Sequence, residues 1–381
     1  MRTSRKLTVG AMGLVYALVF GEVFVRAFAP EPLLPRNVTG SDWGVRQNVP
    51  GAQYRQLTED VDVDVRINSQ GMRADRDYPP QPPAGTCRIA ITGDSFIVGY
   101  EANVEDIIAG RLDRAMAQRG YRTETLNFGV SGFGNAEELV QFERRIASFH
   151  PTILVQGFHT TDFEDNRRSG LFALTSSGAL EPRANAYLPG VAISDRLSAI
   201  PPYRWLDANS QLFAALRQKA TDAAKRAMVA LRTGNFGRTE LNADKKTDTP
   251  ANETAPDYDA LSSALLRATH ASARDRDIGW ILFEIPVREG EGRYSSPLAK
   301  VKLDPELRQR VVSPIEVFRA RPDVAMYQPN GHGHFTPEGN RVGAELIADA
   351  LVRQERERLA SCAHNAAPAN ETIRADARKV A

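Results

Sequence analysis

The feature that most constrains this chain is the order in which apolar runs and amphipathic stretches alternate from Arg88 to Phe158. Ile89-Ala90-Ile91 is a short apolar run of the kind that makes a buried strand. Val104 to Gln118 follows, with Val104, Ile107, Ile108, Leu112 and Met116 on one helical face and Gly120 closing it. Thr123–Phe128 reads as a strand, Ala136–Phe149 as a helix, and Thr152–Phe158 as a second apolar strand. Strand–helix–strand units at this spacing predict a parallel sheet with helices on both faces. The pattern breaks after Asn166. It resumes with a helix over Tyr258–Arg274, a strand over Gly279–Ile285 and a last helix from Pro337 to Leu359. In the gap, Leu206–Leu231 has helical periodicity, while Thr233–Pro256 is polar and rich in Asn, Thr, Asp and Lys. The fold class is therefore α/β, a three-layer sandwich around a central parallel sheet.

Upstream of this core, Arg2, Arg5 and Lys6 precede an apolar run from Leu7 to Ala29. Its 23 residues suffice to cross a bilayer core of about 30 Å as a helix, so a transmembrane anchor is expected. Glu22 and Arg26 lie four apart and can pair on one helical face. Two rival readings exist. Ala27-Phe28-Ala29 fits a signal-peptide cleavage site, although Pro30 is a poor context for it and the run is long. A buried core helix would need the polar face that this segment almost lacks. Pro30, Pro32, Pro35 and Pro50 mark an extended stalk, and Val61–Asn68 alternates like a half-buried strand. The expected layout is an anchor over 1–29, a stalk with a short strand over 30–85, and an α/β domain over 86–360. That domain carries an insertion at about 167–256, and a mobile tail occupies 361–381.

Charge narrows the function classes. Lys plus Arg is 48 and Asp plus Glu is 47, a net charge of +1, without the basic excess that nucleic-acid binding needs. Two cysteines, Cys87 and Cys362, exclude a disulfide-dense scaffold and a four-thiolate zinc site. Cys87 precedes the first sheet strand, and the last helix runs back toward that same edge. The pair is therefore placed either to form a disulfide or to remain two thiols.

The chemistry concentrates in two stretches. In Ile91-Thr92-Gly93-Asp94-Ser95-Phe96 a serine stands just past a buried strand, on the carboxyl edge where open α/β folds put their sites. A serine nucleophile needs a base, and the candidates are six histidines. His334 stands out, in Gly331-His332-Gly333-His334-Phe335-Thr336-Pro337. Thr336 is a good helix N-cap and Pro337 a good first helical residue, which puts His334 in the loop before the last helix, on the same edge as Ser95.

These stretches resemble the SGNH/GDSL hydrolase family, whose fold is flavodoxin-like. Gly93-Asp94-Ser95-Phe96 is similar to its first block, with Ser95 as nucleophile. Asn127-Phe128-Gly129-Val130-Ser131-Gly132 is similar to the second, which implies an oxyanion hole from the N–H groups of Ser95 and Gly132. Gly157-Phe158-His159-Thr160-Thr161-Asp162 is similar to the third, with Thr161 where the family has Asn, so that Thr161 is the expected third member of the oxyanion hole. His334-Phe335-Thr336-Pro337-Glu338-Gly339 is similar to the fifth, with His334 as base. The resemblance covers about Cys87–Leu359 without the insertion. The family's Asp, two or three residues before the histidine, is replaced here by His332 and Gly331. Something else must then orient His334, whether a backbone carbonyl or Asp323 upstream. Asp94, Asp162 and His332 are possible supporting residues, and no metal or cofactor is expected.

The resemblance implies a serine ester hydrolase acting on an acylated small molecule or glycan. An anchor and stalk ahead of such a domain also resemble a bacterial subgroup of the family. The expected location is then the inner membrane, single-pass, with the main domain periplasmic. Acyl transfer by the same serine is a variant of this reading. A non-catalytic glycan-binding or assembly protein on the same fold is a second hypothesis, motivated by the two altered positions. A metal-dependent hydrolase built on His332-x-His334 is a third.

Overall fold

The apolar run at the amino terminus does form a helix, α1 (Arg2–Phe28). The expected bilayer anchor is not borne out, because among the described residues no helix is long and apolar enough to cross a membrane. Near the carboxyl end of α1, Glu22 and Arg26 bond to each other and to residues 209–212. Arg26 Nε donates to Glu22 at 2.7 Å, and Glu22 accepts from the Ser210 hydroxyl at 2.7 Å and from the N–H groups of Gln211 and Leu212, both at 3.0 Å. The Glu22 carboxylate thereby caps a second helical stretch, residues 211–217, as an acidic side chain at a helix amino terminus should.

In this computed structural model, residues 2–28, 37–183, 189–217, 219–220, 223, 258–330 and 333–363 are described. The chain divides into two units, residues 1–36 with 192–254 and residues 37–191 with 255–381. The first holds α1 and a helix over Pro201–Asn209, which ends at Ser210. The helix expected over Leu206–Leu231 is therefore interrupted there, and its distal part, like Thr233–Pro256, lies largely outside the described residues.

The second unit begins with a correction. Residues 37–66 are not an extended stalk but two antiparallel hairpins. One pairs β1 (Val38–Gly40) with β2 (Arg46–Asn48), the other β3 (Gln53–Leu57) with β4 (Asp62–Arg66). In β4, Val63 and Val65 are buried while Asp62, Asp64 and Arg66 face solvent, as the alternation predicts.

The central sheet follows. Its parallel strands are β5 (Cys87–Thr92), β6 (Thr123–Asn127), β7 (Ile153–Phe158), β10 (Gly279–Glu284) and β13 (Val311–Val312), in the order β13-β10-β7-β5-β6. Two small hairpins intervene in the chain, β8 (Phe172–Leu174) with β9 (Leu180–Pro182) and β11 (Val287–Gly290) with β12 (Arg293–Ser295). Strands β5, β7 and β10 are buried along their whole length, which is why they read as continuous apolar runs.

Alternate strand residues feed two cores. Ile89, Ile91, Ile153, Val155, Ile281 and Phe283 pack on one face against Ile108, Leu112 and Met116 and against Ile347 and Leu351 of the last long helix, Pro337–Gln354. Ala90, Leu126, Leu154 and Leu282 pack on the other against Phe142 and Leu266. The expected sandwich with helices on both faces is present in this unit. Residues 361–363 of the expected tail belong to the folded unit. Cys362 is fully buried and bonded to Cys87, with Cα atoms 5.5 Å apart, and residues 364–381 lie outside the described part.

Candidate active site

Strand β5 ends at Thr92 and the chain turns at once. Gly93 has φ +156°, and a Cβ there would stand 2.4 Å from Ile97 Cγ1, so only glycine lets the turn close. Asp94 caps a short helix, α2 (Ser95–Val98), accepting from Phe96 N–H at 2.9 Å. Ser95 thus opens α2 on the carboxyl edge of the sheet. His334 reaches it from the far end of the chain. Its carbonyl is held by Gln328 N–H at 2.8 Å, and the following Thr336 caps the last long helix, with Pro337 as its first residue.

His334 Nε2 lies 2.8 Å from Ser95 Oγ. Its other ring nitrogen, Nδ1, lies 3.1 Å from Glu101 Oε2, which also accepts the His334 backbone N–H at 2.8 Å. The Glu101 side chain is fully buried. A carboxylate on Nδ1 sets the tautomer that leaves Nε2 able to take a proton from the serine. Glu101 is the residue that sequence reasoning missed. The sequence points to Asp323 or a backbone carbonyl as the orienting group, whereas the group on Nδ1 is a carboxylate six residues after Ser95. The signal was an acidic residue set between Tyr100 and Ala102, in a stretch otherwise fit for burial. His332 lies outside the described residues.

Gly132 lies in the loop after β6. That loop comes close because Gly129 has no side chain: a Cβ there would be 2.6 Å from Val98 N. Val130 N–H donates to Gly93 O at 2.9 Å, tying the loop to the turn that carries Ser95. Asn127 supports it from below, donating to Ile97 O at 2.6 Å and accepting from Gly129 N–H at 3.0 Å.

Thr161 does not stand as a simple substitute for an amide donor. Its hydroxyl is 2.9 Å from His159 Nδ1 and donates to Asp94 Oδ2 at 3.5 Å. The His159 ring packs on Phe96 with centroids 4.7 Å apart, and His334 packs on Phe96 at 4.9 Å. Two imidazoles therefore flank the residue next to the nucleophile. Only His334 is hydrogen-bonded to the serine.

Beneath this layer lies a group of buried carboxyls. Asp162 opens the helix Asp162–Ser169 and accepts from Asn135 Nδ2 and His159 N–H, both at 3.1 Å. Glu138, in the helix Asn135–Arg144, accepts from Gln156 Nε2 at 2.7 Å and Asn135 Nδ2 at 3.3 Å. Burial pushes the Glu138 carboxyl up to about 8, and burial together with the charges of Glu138 and Asp94 pushes Asp162 well above the usual carboxylate range. Both shifts favour the protonated forms of these carboxyls. Among the described residues no group of three or more His, Cys, Asp or Glu side chains is placed to hold a metal ion.

No family model and no curated relative matches this chain. Among solved structures, it is similar to a two-domain esterase active on acetylated mannans, at 11% identity and TM-score 0.37, over 72% of this chain and 51% of that one. The match thus spans about half of that esterase. It is also similar to TesA, at 13% identity and TM-score 0.31, over 69% of this chain and 97% of that one. A putative GDSL-like lipase from Parabacteroides merdae matches at 15% identity and TM-score 0.31, over 69% and 94% of the two chains. The functional reading accordingly rests on the geometry of the site.

Proposed function

We propose that this chain is a serine ester hydrolase of the SGNH/GDSL type, and the observation that carries the reading is the unbroken line Ser95 Oγ–His334–Glu101. In this mechanism Ser95 Oγ attacks the ester carbonyl while His334 Nε2 takes its proton. Glu101 holds the Nδ1–H and offsets the imidazolium charge. The N–H groups of Ser95 and Gly132 receive the oxyanion of the tetrahedral intermediate, a term worth about 10²–10³ in turnover for each donor. His334 then returns its proton to the departing alkoxide, leaving an acyl-serine. A water molecule repeats the sequence and releases the acid.

The non-catalytic alternative rested on two altered positions, and Glu101 answers the one beside His334, while Thr161 still stands in place of the family's Asn. The Cys87–Cys362 bond supports an oxidising, extracytoplasmic compartment, since such bonds persist there and are rare in reducing cytosol.

The test is turnover of a short-chain p-nitrophenyl ester by the full chain. Ser95→Ala should lower kcat by at least about 10⁴-fold. Equal turnover by Ser95→Ala and the parent would overturn the reading.

A further inference from the structure

Gly132 is the residue on which the oxyanion side of the site depends, and what holds it comes from far away in sequence. Val130 to Phe133 forms a tight turn, closed by Phe133 N–H donating to Val130 O at 3.1 Å, with Gly132 at φ +71°. The N–H that would meet the oxyanion belongs to the Ser131–Gly132 peptide. The next peptide, Gly132–Phe133, is fixed through its carbonyl. Arg46 Nη2 donates to Gly132 O, and Arg168 Nη2 donates to the same oxygen at 3.4 Å.

Arg46 stands at the start of β2, in the first hairpin. Its guanidinium also donates to Glu137 Oε1, from Nε at 3.1 Å and from Nη2 at 2.9 Å, while the Glu137 side chain is 1% exposed. Glu137 Oε2 in turn accepts Gly134 N–H at 3.1 Å, one residue past the turn. Two residues on in β2, Asn48, fully buried, donates to Gly129 O at 2.9 Å. Val45 closes the group by packing against Val130 and Phe133. One short hairpin therefore grips the loop at Gly129, at Gly132 and, through Glu137, at Gly134.

We infer that the β1–β2 hairpin is a built-in clamp on the oxyanion turn, with Arg46 as a positioning residue that sets the direction of the Gly132 N–H. The inference rests on the hydrolase reading. It follows from how steeply electrostatic catalysis depends on alignment: a donor must sit within about 0.5 Å and 10–20° of its working position to act at full strength. Fixing the Gly132 carbonyl on one side and the Val130–Phe133 turn bond on the other leaves the intervening torsions little freedom. Arg46 never touches the substrate, and its effect passes through Gly132.

The test is a steady-state comparison of the full chain with Arg46→Ala, Arg46→Lys and Ser95→Ala on a short-chain ester. A Cys87→Ser/Cys362→Ser chain serves as a control that is destabilised away from the site. Arg46→Ala should lose about 10–100-fold in kcat with KM within about two-fold, a fraction of the loss for a deleted donor. Arg46→Lys, which keeps one donor and the pairing with Glu137, should recover part of that loss. The control should lose stability and keep its kcat. Unchanged kcat in Arg46→Ala, or an equal loss of kcat in the control, would overturn the clamp. If Arg46→Ala does not fold, Arg46→Lys decides by the same split, an unchanged kcat again overturning the clamp. Full turnover by Ser95→Ala would instead bring down the hydrolase reading itself.

Discussion

The two edges of the central sheet hold their buried carboxyls differently, although the carboxyl edge also carries an arginine pair on a buried carboxylate, Arg46 with Glu137. At the amino edge, where the parallel strands begin, Arg88 is fully buried and meets Glu124 across β5 and β6. The same guanidinium donates to Pro80 O at 2.8 Å and Phe149 O at 2.6 Å. Glu355, beside the start of β10, is held by Arg310 and by Arg358 Nε at 3.1 Å. The Cys87–Cys362 bond lies on this edge too. At the carboxyl edge, Asp94, Glu101, Glu138 and Asp162 are met instead by a backbone N–H, a hydroxyl, amides and imidazoles. An arginine partner stabilises the charged form of a carboxylate. One that rests on imidazole or amide can gain or lose a proton, or share the charge that a histidine acquires in turnover. The first edge holds its carboxylates with arginine, and the second sets Glu101 against His334.

This contrast can be broken at several points. The largest effect is expected at Glu101. Glu101→Gln keeps the shape but removes the negative charge from His334, and kcat should fall by about 10³–10⁴ while the thermal midpoint barely moves. A loss of stability without loss of kcat, measured by melting and steady-state kinetics together, would put Glu101 with the amino-edge groups.

The disulfide should behave in the reverse manner. Its sequence separation is 275 residues, and in the chain-entropy model a loop that long contributes up to about 5 kcal/mol. Cys87→Ser with Cys362→Ser should therefore lower the denaturant midpoint strongly. Turnover at low temperature should stay as in the parent, and a matching fall in kcat would show that the two edges are not independent.

The smallest effect sharpens the picture beneath the serine. The Glu138 carboxyl rises from 4.5 to about 8 on folding, so the folded chain binds the proton more tightly than the unfolded one. Stability from this group is fully present below about pH 4.5 and is lost as pH rises through 8, by something on the order of a few kcal/mol. Asp162 shifts in the same direction. Glu138→Gln imitates the neutral acid, so its unfolding free energy should fall less with pH over that window. Parallel pH profiles for the two chains, from urea titrations, would mean that Glu138 is ionised in the fold.

Much of this was legible in the residues, for physical reasons that differ from part to part. β5, β7 and β10 are buried on both faces, so their sequences are unbroken apolar runs that need no context to interpret. Ser95 and His334 were legible because local chemistry marks their places, a Gly-Asp-Ser turn at a strand end and a Thr-Pro helix start. Glu101 was not, since nothing local says that a glutamate after α2 faces a histidine 233 positions later. The first hairpin was hidden by the prolines around it, which suggested a stalk. Arg46 and Asn48 act on glycines 86 and 81 residues away, and a polar side chain bonded to a distant carbonyl leaves no periodic trace.

The most direct test of the central claim is to find where an acyl-serine forms. The full chain would be treated with a fluorophosphonate, and the adduct located by peptide mass mapping in parent, Ser95→Ala and Glu101→Gln. A single adduct on Ser95, absent from Ser95→Ala and formed far more slowly in Glu101→Gln, is the predicted result. An adduct on another residue, or ester turnover by a chain that takes up no phosphonate at Ser95, would contradict the assignment of Ser95, His334 and Glu101 as one catalytic unit.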